Sequence, residues 1–403
     1  MNNSDSFKQG LSTVSWDFSN VENRGIHLAH WYPATFVSAI PGSLIPLITR
    51  EGDLVVDPFC GAGATVVEAV RLGRRALGFD TNPVALLISA AKLALPSQQS
   101  LSRLRQLVAD VGQRSLVTRM VGTRSNGRHP NAAELQQWYH AATCEELLQI
   151  QGVIESLPNG KLKTVGRCIF SSILKNVCSQ GRHWGWVCDN VKPKPSEIQE
   201  KDALGAYIAA LDAFSRGVKE LADDMCRRGL NPGAISRGRD WDVRRGDACK
   251  QLRALEQASV DAIVTSPPYY GVADYVKSQR LTFLWYPTAV AELEGVEAGF
   301  EQLRKEEIGS RSYRHRKGSF SDYVEYMKMF LGEATRVLKP GGKLCLVIGE
   351  SGKRRPTTSH TMRAARAAEL TLAFSSNRDI RATRRRMLAS VPHESIVIYV
   401  KDG

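Results

Sequence analysis

Several common sequence patterns are missing from this chain of 403 residues. No apolar run approaches the roughly 18 uninterrupted residues that a membrane-spanning helix requires, and the opening residues MNNSDSFKQG lack the basic-then-apolar order of a secretory signal. The eight cysteines are scattered, without a CxxC pair or a Cys/His ligand spacing. This pattern argues against both a zinc site and a disulfide framework. We therefore expect a cytoplasmic protein with reduced thiols, no membrane contact and no metal.

Positive charge is in excess, with a net charge of +13 at pH 7. Such a balance favours a polyanionic partner, nucleic acid in particular. Two runs concentrate the charge, RSYRHRK at residues 311–317 and RATRRR at residues 381–386. Each run suits a solvated face as well as it suits contact with phosphate groups.

The spacing of apolar residues predicts a β-loop-α-β unit in GDLVVDPFCGAGATVVEAVRLGRRALGFD. Residues 54–56 form its first strand, residues 65–72 its helix and residues 75–79 its second strand. An apolar helix follows in TNPVALLISAAKLAL, with Thr81 or Asn82 as its N-cap.

Helical spacing without a convincing strand continues to about residue 231, which indicates an inserted helical region. Strand patterns then return, around an amphipathic helix in SDYVEYMKMFLGEATRVLKPGG, at residues 241–248, 260–270, 341–349 and 394–401. Strands that alternate with helices on both sides of an insertion predict an α/β fold with one doubly wound, mostly parallel, Rossmann-like sheet. Such sheets bind ligands at the carboxyl ends of their strands.

Glycines follow the first predicted strand in DPFCGAG, residues 57–63. Gly61 and Gly63 can adopt positive φ angles and let a ligand approach the backbone closely. Asp80 ends the second strand, where an acidic side chain binds ribose hydroxyls in nucleotide-binding units of this shape. A GxG alone is more often a packing turn, and the full GxGxxG is missing because position 66 is valine. The DPF prefix and Asp80 together favour a nucleotide site.

These motifs resemble those of S-adenosylmethionine-dependent DNA amino-methyltransferases. DPFCGAGAT is similar to the family's DPFxGSGTT cofactor loop, and TSPPYY, residues 265–270, to its [DNS]PP[YFW] catalytic motif. HWYPATF, RGDA and RVLKPGGKLCLVIG extend the resemblance over roughly residues 25–95 and 240–403. The helical insertion has no counterpart in the resemblance, and Ala62 and Ala64 stand where the family has hydroxyl residues.

The resemblance implies three parts of one chain. They are the first part of the methyltransferase domain with the cofactor loop (1–95), a helical insertion that is the candidate target-recognition region (96–235), and the second part of the domain with the catalytic loop (236–403).

The resemblance also implies that the cofactor loop holds the methionine part of S-adenosylmethionine, that Asp80 holds the ribose and that Asp247 holds the adenine edge. Thr65 is left to supply the hydroxyl contact to the cofactor's carboxylate. Asp247 is also typical of a helix cap, and Phe59 could be a core residue. The implied cofactor-binding residues are Asp57, Pro58, Phe59, Cys60, Gly61, Ala62, Gly63, Thr65, Asp80 and Asp247.

The chemistry of amino methylation explains why a Ser-Pro-Pro-Tyr loop is suitable. An exocyclic amino nitrogen is a poor nucleophile because its lone pair is delocalised into the ring. Two acceptors, Ser266 Oγ and the carbonyl of Pro267, favour a more tetrahedral nitrogen, and the rigidity of Pro267 and Pro268 fixes their direction. Tyr269 supplies a face on which a flipped base stacks. A cytosine-C5 enzyme needs a Pro-Cys nucleophile, and no such dipeptide occurs.

Aromatic and cationic residues alternate in the insertion, where CSQGRHWGWVCDNVKPKP suits phosphate contact and base stacking as well as packing onto the sheet. Tyr270 fits a DNA contact or core packing equally well. The candidate nucleic-acid-binding residues are Tyr270, Arg182, Trp184, Trp186, Lys192 and Lys194.

Together these features predict a sequence-specific methyltransferase that acts on double-stranded DNA. Within the resemblance, Ser266 rather than Asp or Asn at this position implies cytosine N4 as the favoured target, and adenine N6 is the alternative. An RNA methyltransferase and a catalytically silent DNA-binding protein are further readings. A partner restriction endonuclease and the oligomeric state stay open, with a monomer plausible.

Overall fold

Seven strands form a single sheet in the computed structural model, which describes residues 3–18, 21–35, 37–121, 129–180, 192–287, 299–350, 357–379 and 393–402. The strands are β1 (Leu54–Asp57), β2 (Arg75–Asp80), β3 (Trp241–Arg245), β4 (Val260–Thr265), β5 (Leu338–Glu350), β6 (Leu370–Asp379) and β7 (His393–Lys401). Their order across the sheet is β3-β2-β1-β4-β5-β7-β6. All pairs from β3 to β5 are parallel, whereas β7 runs antiparallel to both of its neighbours. This mostly parallel α/β sheet confirms the predicted fold class.

The helices lie before, between and after the strands. They are α1 (Asn3–Ser12), α2 (Ala39–Ile48), α3 (Ala64–Arg71), α4 (Pro83–Leu93), α5 (Gln98–Val121), α6 (Ala132–Leu135), α7 (Ala141–Ser156), α8 (Lys161–Val177), α9 (Ala203–Arg227), α10 (Ala248–Arg253), α11 (Arg280–Trp285), α12 (Phe300–Glu306), α13 (Ser319–Val337) and α14 (Thr357–Ala367). The predicted β-loop-α-β unit is confirmed as β1, α3 and β2. Asn82 caps α4, because its side chain accepts a hydrogen bond from the backbone of Val84.

Two elements at the far edge of the sheet, α14 and β6, were not predicted. In β6 only Leu370 and Arg378 are buried, because the strand lies at the sheet edge and half of its residues face solvent. A pairing irregularity between Leu372 and Phe374 further interrupts its alternation. An edge strand with a polar sequence carries little of the apolar signal on which strand prediction depends.

The helical insertion is held to the first part of the sheet by a partly buried charged network. Glu68 on α3 accepts a hydrogen bond from the ring of His27 at 2.8 Å and from Arg71, and Arg71 also contacts Asp224 on α9 at 2.7 Å. Burial alone would raise the pKa of Glu68, but the hydrogen bonds and charges of His27 and Arg71 lower it overall. Helix α9 is therefore joined to α3 through ionised groups.

Trp285 of α11 connects the insertion to the catalytic half of the chain. Its side chain is 1% exposed and packs edge-on against Phe170 of α8 and against Tyr139. Its carbonyl accepts a hydrogen bond from the Gln151 side chain of α7 at 2.8 Å. The insertion and the catalytic half thus share one apolar core.

Helix α4 supports the loop between β1 and α3 from below. Ser89 donates to the carbonyl of Gly61 at 2.9 Å, and Lys92, one turn later, donates to the carbonyl of Ala62 at 2.7 Å. Gly63 has a φ of +79°, and a Cβ at this position would lie 2.6 Å from the Ser89 hydroxyl. The close approach of helix and loop therefore requires glycine here.

We predict that Trp285→Ala lowers the free energy of unfolding by about 3–5 kcal/mol, because it leaves a cavity between the insertion and the catalytic half. Chemical denaturation measures this loss. Met329→Ala on α13 is the control, since this side chain is 52% exposed and surface changes cost within about 0.5 kcal/mol. Equal effects of the two substitutions would contradict a shared core.

A second prediction concerns pH. Burial lowers the pKa of Lys92 from its usual 10.5 to about 8. Between these two values the unfolded chain keeps the proton that the folded chain has lost, so stability rises with pH. The difference in unfolding free energy between the wild type and Lys92→Met should therefore increase by roughly 2–3 kcal/mol from about pH 7 to about pH 10. A difference that stays constant with pH would show that Lys92 titrates normally.

Candidate active site

A cleft that is partly open to solvent lies at the carboxyl ends of the parallel strands. It is where both predicted loops meet. Its lining includes Pro58 to Ala62 after β1, Asp80 at the end of β2, Asp247 after β3, and Ser266, Pro268 and Tyr269 after β4. The predicted site residues Asp57, Gly63, Thr65, Pro267 and Tyr270 are not part of this lining.

Asp57 lies beneath the cleft and joins the two loops. It is fully buried, and its Oδ1 accepts hydrogen bonds from the Thr265 hydroxyl at 2.6 Å and from the Phe59 amide at 3.2 Å. Burial raises the pKa of Asp57 to about 7, although these hydrogen bonds lower it in part. The end of β1 is thereby tied directly to the end of β4.

Thr65 does not reach the cleft, contrary to the expectation that its hydroxyl would contact a cofactor carboxylate. The side chain is fully buried in the first turn of α3. Its hydroxyl instead contributes to lowering the pKa of Asp57. Among the described residues this hydroxyl has no hydrogen-bond partner, so it acts on Asp57 through proximity and not through a hydrogen bond.

Asp80 is held in the cleft by the backbone. Its carboxylate accepts hydrogen bonds from the amides of Gly61 at 2.9 Å and Asn82 at 2.8 Å. Burial raises the pKa of Asp80 to about 6, against the lowering effect of these bonds. The Gly61 amide thereby connects the glycine loop to the end of β2.

Asp247 caps a helix and also lines the cleft. Its Oδ1 caps α10 by accepting from the Lys250 amide at 3.0 Å, while Oδ2 accepts from the Tyr326 hydroxyl at 2.7 Å, and the residue lines the cleft. Phe59 also lines the cleft, with its ring 5.0 Å from that of Phe330. Phe59 therefore combines core packing with exposure to the cleft.

An aromatic wall that sequence motifs did not identify in full closes one side of the cleft. Tyr32 and Tyr275 stack with ring centroids 6.1 Å apart. Glu307 lies beside them and accepts from the Val276 amide at 2.9 Å, and burial raises its pKa to about 8. Tyr32 belongs to the segment HWYPATF, whose Phe36 lies outside the described residues. Tyr275 and Glu307 come after the catalytic loop in the sequence and belong to none of the motifs, so the sequence did not identify them.

The catalytic loop is held by hydrogen bonds at both ends. The Ser266 hydroxyl lies 3.1 Å from both the carbonyl of Val347 and the Tyr269 hydroxyl, and it donates its single hydrogen to one of these two oxygens. The Pro268 carbonyl accepts from the Tyr323 hydroxyl at 3.0 Å. Pro267 is buried, and among the described residues no hydrogen bond occupies its carbonyl.

Tyr270 packs in the core rather than facing a ligand. It is 8% exposed, its ring contacts those of Phe320 and Tyr323, and its hydroxyl bonds to Ser319 at 2.7 Å. Of the two roles predicted for Tyr270, packing is the one that these contacts favour. A DNA contact of Tyr270 stays a prediction.

The remaining candidate nucleic-acid residues are only partly described. Arg182, Trp184 and Trp186 lie outside the described residues, as does the run RATRRR. Lys192 and Lys194 are exposed, and Lys192 donates to the Gln137 side chain at 2.7 Å. Neither lysine lines the cleft.

Metal sites and membrane-spanning helices are both lacking among the described residues. No group of three or more His, Cys, Asp or Glu side chains is arranged to hold a metal ion within the ranges that the structure covers. None of the helices in those ranges combines the length and the apolar character that a membrane crossing requires.

Two curated relatives of the chain are Type II methyltransferases. The chain is 22% identical over 309 residues to the Type II methyltransferase M.MvaI of Kocuria varians, covering 75% of this chain and 65% of that protein. It is 27% identical over 104 residues to the Type II methyltransferase M.MjaII of Methanocaldococcus jannaschii, covering 24% and 19%. The chain thus spans less than two thirds of either relative. TrmN from Thermus thermophilus aligns with 91% of this chain and 49% of its own at 11% identity and a TM-score of 0.34.

The family model described as DNA methylase matches residues 4–91 and 260–403, together more than half of the chain. The matched parts contain both loops of the cleft and every strand except β3. The unmatched residues between them contain the helical insertion. The chain belongs to the DNA methylase family.

Proposed function

We propose that the chain transfers a methyl group from S-adenosylmethionine to an exocyclic amino group of a base flipped out of double-stranded DNA. Cytosine N4 is the favoured target. The observation that carries this proposal is the convergence of the glycine loop, Asp80 and the Ser266–Tyr269 loop on one cleft. Family membership makes DNA the substrate class.

The residues of the cleft fit the cofactor. Asp80 presents a carboxylate to accept the ribose hydroxyls, and Gly61, with a φ of +47°, leaves room for close approach. Asp247 lines the cleft where we propose that the adenine edge binds. Phe59 to Ala62 line the region of the cleft that we assign to the methionine part of the cofactor. When bound, the cofactor supplies a sulfonium methyl group that is already activated for transfer. The protein therefore has to position the two reactants, and no strong base is required.

Ser266 is suited to accept a hydrogen bond from the target amino group. A hydroxyl carries a single hydrogen, and here that hydrogen is directed to Val347 or Tyr269. The lone pairs of the Ser266 oxygen are consequently left for the substrate. The carbonyl of Pro267 supplies the second acceptor of the proposed mechanism. Two acceptors on the amino hydrogens favour the tetrahedral nitrogen from which transfer takes place.

Tyr269 provides the stacking surface for the flipped base. It lines the cleft beside Ser266 and Pro268, while its hydroxyl is fixed on the protein side by Val347 and Glu394. An aromatic ring held in one orientation stacks on a base at little entropic cost. The serine at position 266 favours cytosine N4, with adenine N6 as the alternative that the same geometry accommodates.

We assign the DNA-facing surface near the cleft to the basic segment 311–317. The amide of Arg311 donates to the carbonyl of Ala273, and the carbonyl of Arg314 accepts from the Tyr270 hydroxyl, so the segment adjoins the catalytic loop. Arg316 and Lys317 are exposed there. Cations at this place neutralise phosphates next to the flipped base. We further propose that the insertion recognises the target sequence and that the protein is cytoplasmic. Because its relatives are Type II methyltransferases, we also propose a cognate restriction endonuclease as a partner.

The first test is the identity of the modified base. Expression in a methylation-deficient host, digestion of the DNA to nucleosides and mass spectrometry should reveal 4-methylcytosine. Finding 6-methyladenine would move the target to adenine, and finding neither base from a folded protein would overturn the proposal.

Variants of the catalytic loop test the mechanism in the same assay. Ser266→Ala and Tyr269→Ala should each lower kcat at least about 100-fold, since each removes a group that acts in the transition state, with cofactor affinity unchanged. Pro267→Ala keeps the carbonyl but frees its direction, so kcat should also fall in this variant. Ser259→Ala is the matched control, because Ser259 flanks the other end of β4 outside the cleft. Undiminished turnover in the loop variants would contradict the mechanism.

Cofactor binding should depend on the ionisation of Asp80, whose pKa is about 6. The charged carboxylate accepts the ribose hydroxyls more strongly than the protonated form. Affinity for S-adenosylmethionine, measured by calorimetry, should therefore fall as pH decreases through 6, approaching roughly tenfold per pH unit. Asp80→Asn should bind more weakly with a flat profile in this range. A wild-type affinity that is constant down to about pH 5 would exclude this role.

A further inference from the structure

A buried ion pair outside the recognised motifs is hydrogen-bonded to the catalytic loop. Arg378 of β6 and Glu394 of β7 are direct partners in the sheet, with Nε and Oε2 2.9 Å apart. Their side chains are 2% and 5% exposed. The other carboxylate oxygen, Oε1, accepts from the Tyr269 hydroxyl at 3.2 Å. The pair therefore connects the antiparallel edge of the sheet to the loop that holds the target base.

Stability alone does not account for this pair. The cost of removing both charges from water largely offsets their attraction, and a well-packed apolar pair is often equally stable. Arg378 Nη1 is, moreover, buried without a hydrogen-bond partner among the described residues. The pair also accepts a hydrogen bond from the Tyr269 hydroxyl, which an apolar pair could not do.

The carboxylate sets the direction of the hydrogen bonds around it. Ionised Glu394 can only accept, so the Tyr269 hydrogen is directed to it. The Tyr269 oxygen and the Val347 carbonyl are then both available to accept the hydrogen of Ser266. As a result, the Ser266 oxygen turns its lone pairs towards the cleft.

We propose that Glu394, oriented by Arg378, is a positioning residue that fixes the hydrogen-bond direction through Tyr269 and thereby presents Ser266 as an acceptor to the target amino group. The inference rests on the proposed function of the catalytic loop. It assigns to β6 and β7 a part in the reaction that the sequence motifs do not contain.

Glu394→Gln reverses this direction with almost no change in shape. The Arg378 N–H requires the amide oxygen on its side, so the amide nitrogen faces Tyr269 and donates to it. The Tyr269 hydrogen then competes with that of Ser266 for the Val347 carbonyl. We expect kcat to fall about tenfold or more, while the affinities for S-adenosylmethionine and for DNA stay unchanged.

A double-mutant cycle separates this role from a structural one. Tyr269→Phe removes the hydroxyl through which Glu394 acts, so Glu394→Gln should cause no further loss of kcat in that background. Asp379→Asn is the matched control, since Asp379 follows Arg378 on β6 and is 66% exposed. Additive losses in the cycle, or a Glu394→Gln variant with full kcat, would overturn the inference.

Glu394→Gln leaves the Arg378 charge buried without its partner and could destabilise the fold. Arg378→Met combined with Glu394→Met removes both charges, and should retain a cooperative thermal unfolding transition but a reduced kcat. Full kcat in this variant would also overturn the inference. If Ser266→Ala is inactive while the Glu394 variants are fully active, the proposed function stands without the inference. A wild-type chain that methylates no DNA overturns both.

Discussion

The cleft depends on the buried hydrogen bond between Thr265 and Asp57. These residues end β4 and β1, which are adjacent in the sheet although 208 positions separate them in the chain. Because Oδ1 of Asp57 also accepts from the Phe59 amide, one carboxylate orients the start of both loops. Parallel pairing places both loops at the same edge, and this bond sets their separation there. The helical insertion between them in sequence therefore does not disturb their juxtaposition.

The surrounding structure supports the two loops from opposite sides. Helix α4 holds the glycine loop through Ser89 and Lys92, while β5 and β7 hold the catalytic loop through Val347 and Glu394. These supports come from ordered helices and strands with buried side chains. A rigid frame of this kind lowers the reorganisation that is needed when two substrates are brought together.

Local patterns allowed much of this arrangement to be predicted. The β1-α3-β2 unit and the Asn82 cap follow from apolar spacing and capping within a few residues, and the motif loops follow from the strands that they terminate. Whether a side chain is buried was harder to predict from sequence. Thr65 has a hydroxyl that could bind a cofactor and Tyr270 a ring that could contact DNA, but both side chains are buried in the core. Glu394 could not be found from sequence, because its contact with Tyr269 joins residues 125 positions apart.

The order of the strands has a consequence for folding. β1 and β2 are synthesised early, but the edge of β1 that pairs with β4 stays open until some 200 further residues have been made. At a ribosomal rate of about 5–20 residues per second, this interval is roughly 10–40 s. Helices form from local contacts in far less time. The insertion can therefore pack on α3 and α4 before the sheet is complete. Strand β4 is then added to a half-sheet whose helices α3 and α4 are already covered by the insertion.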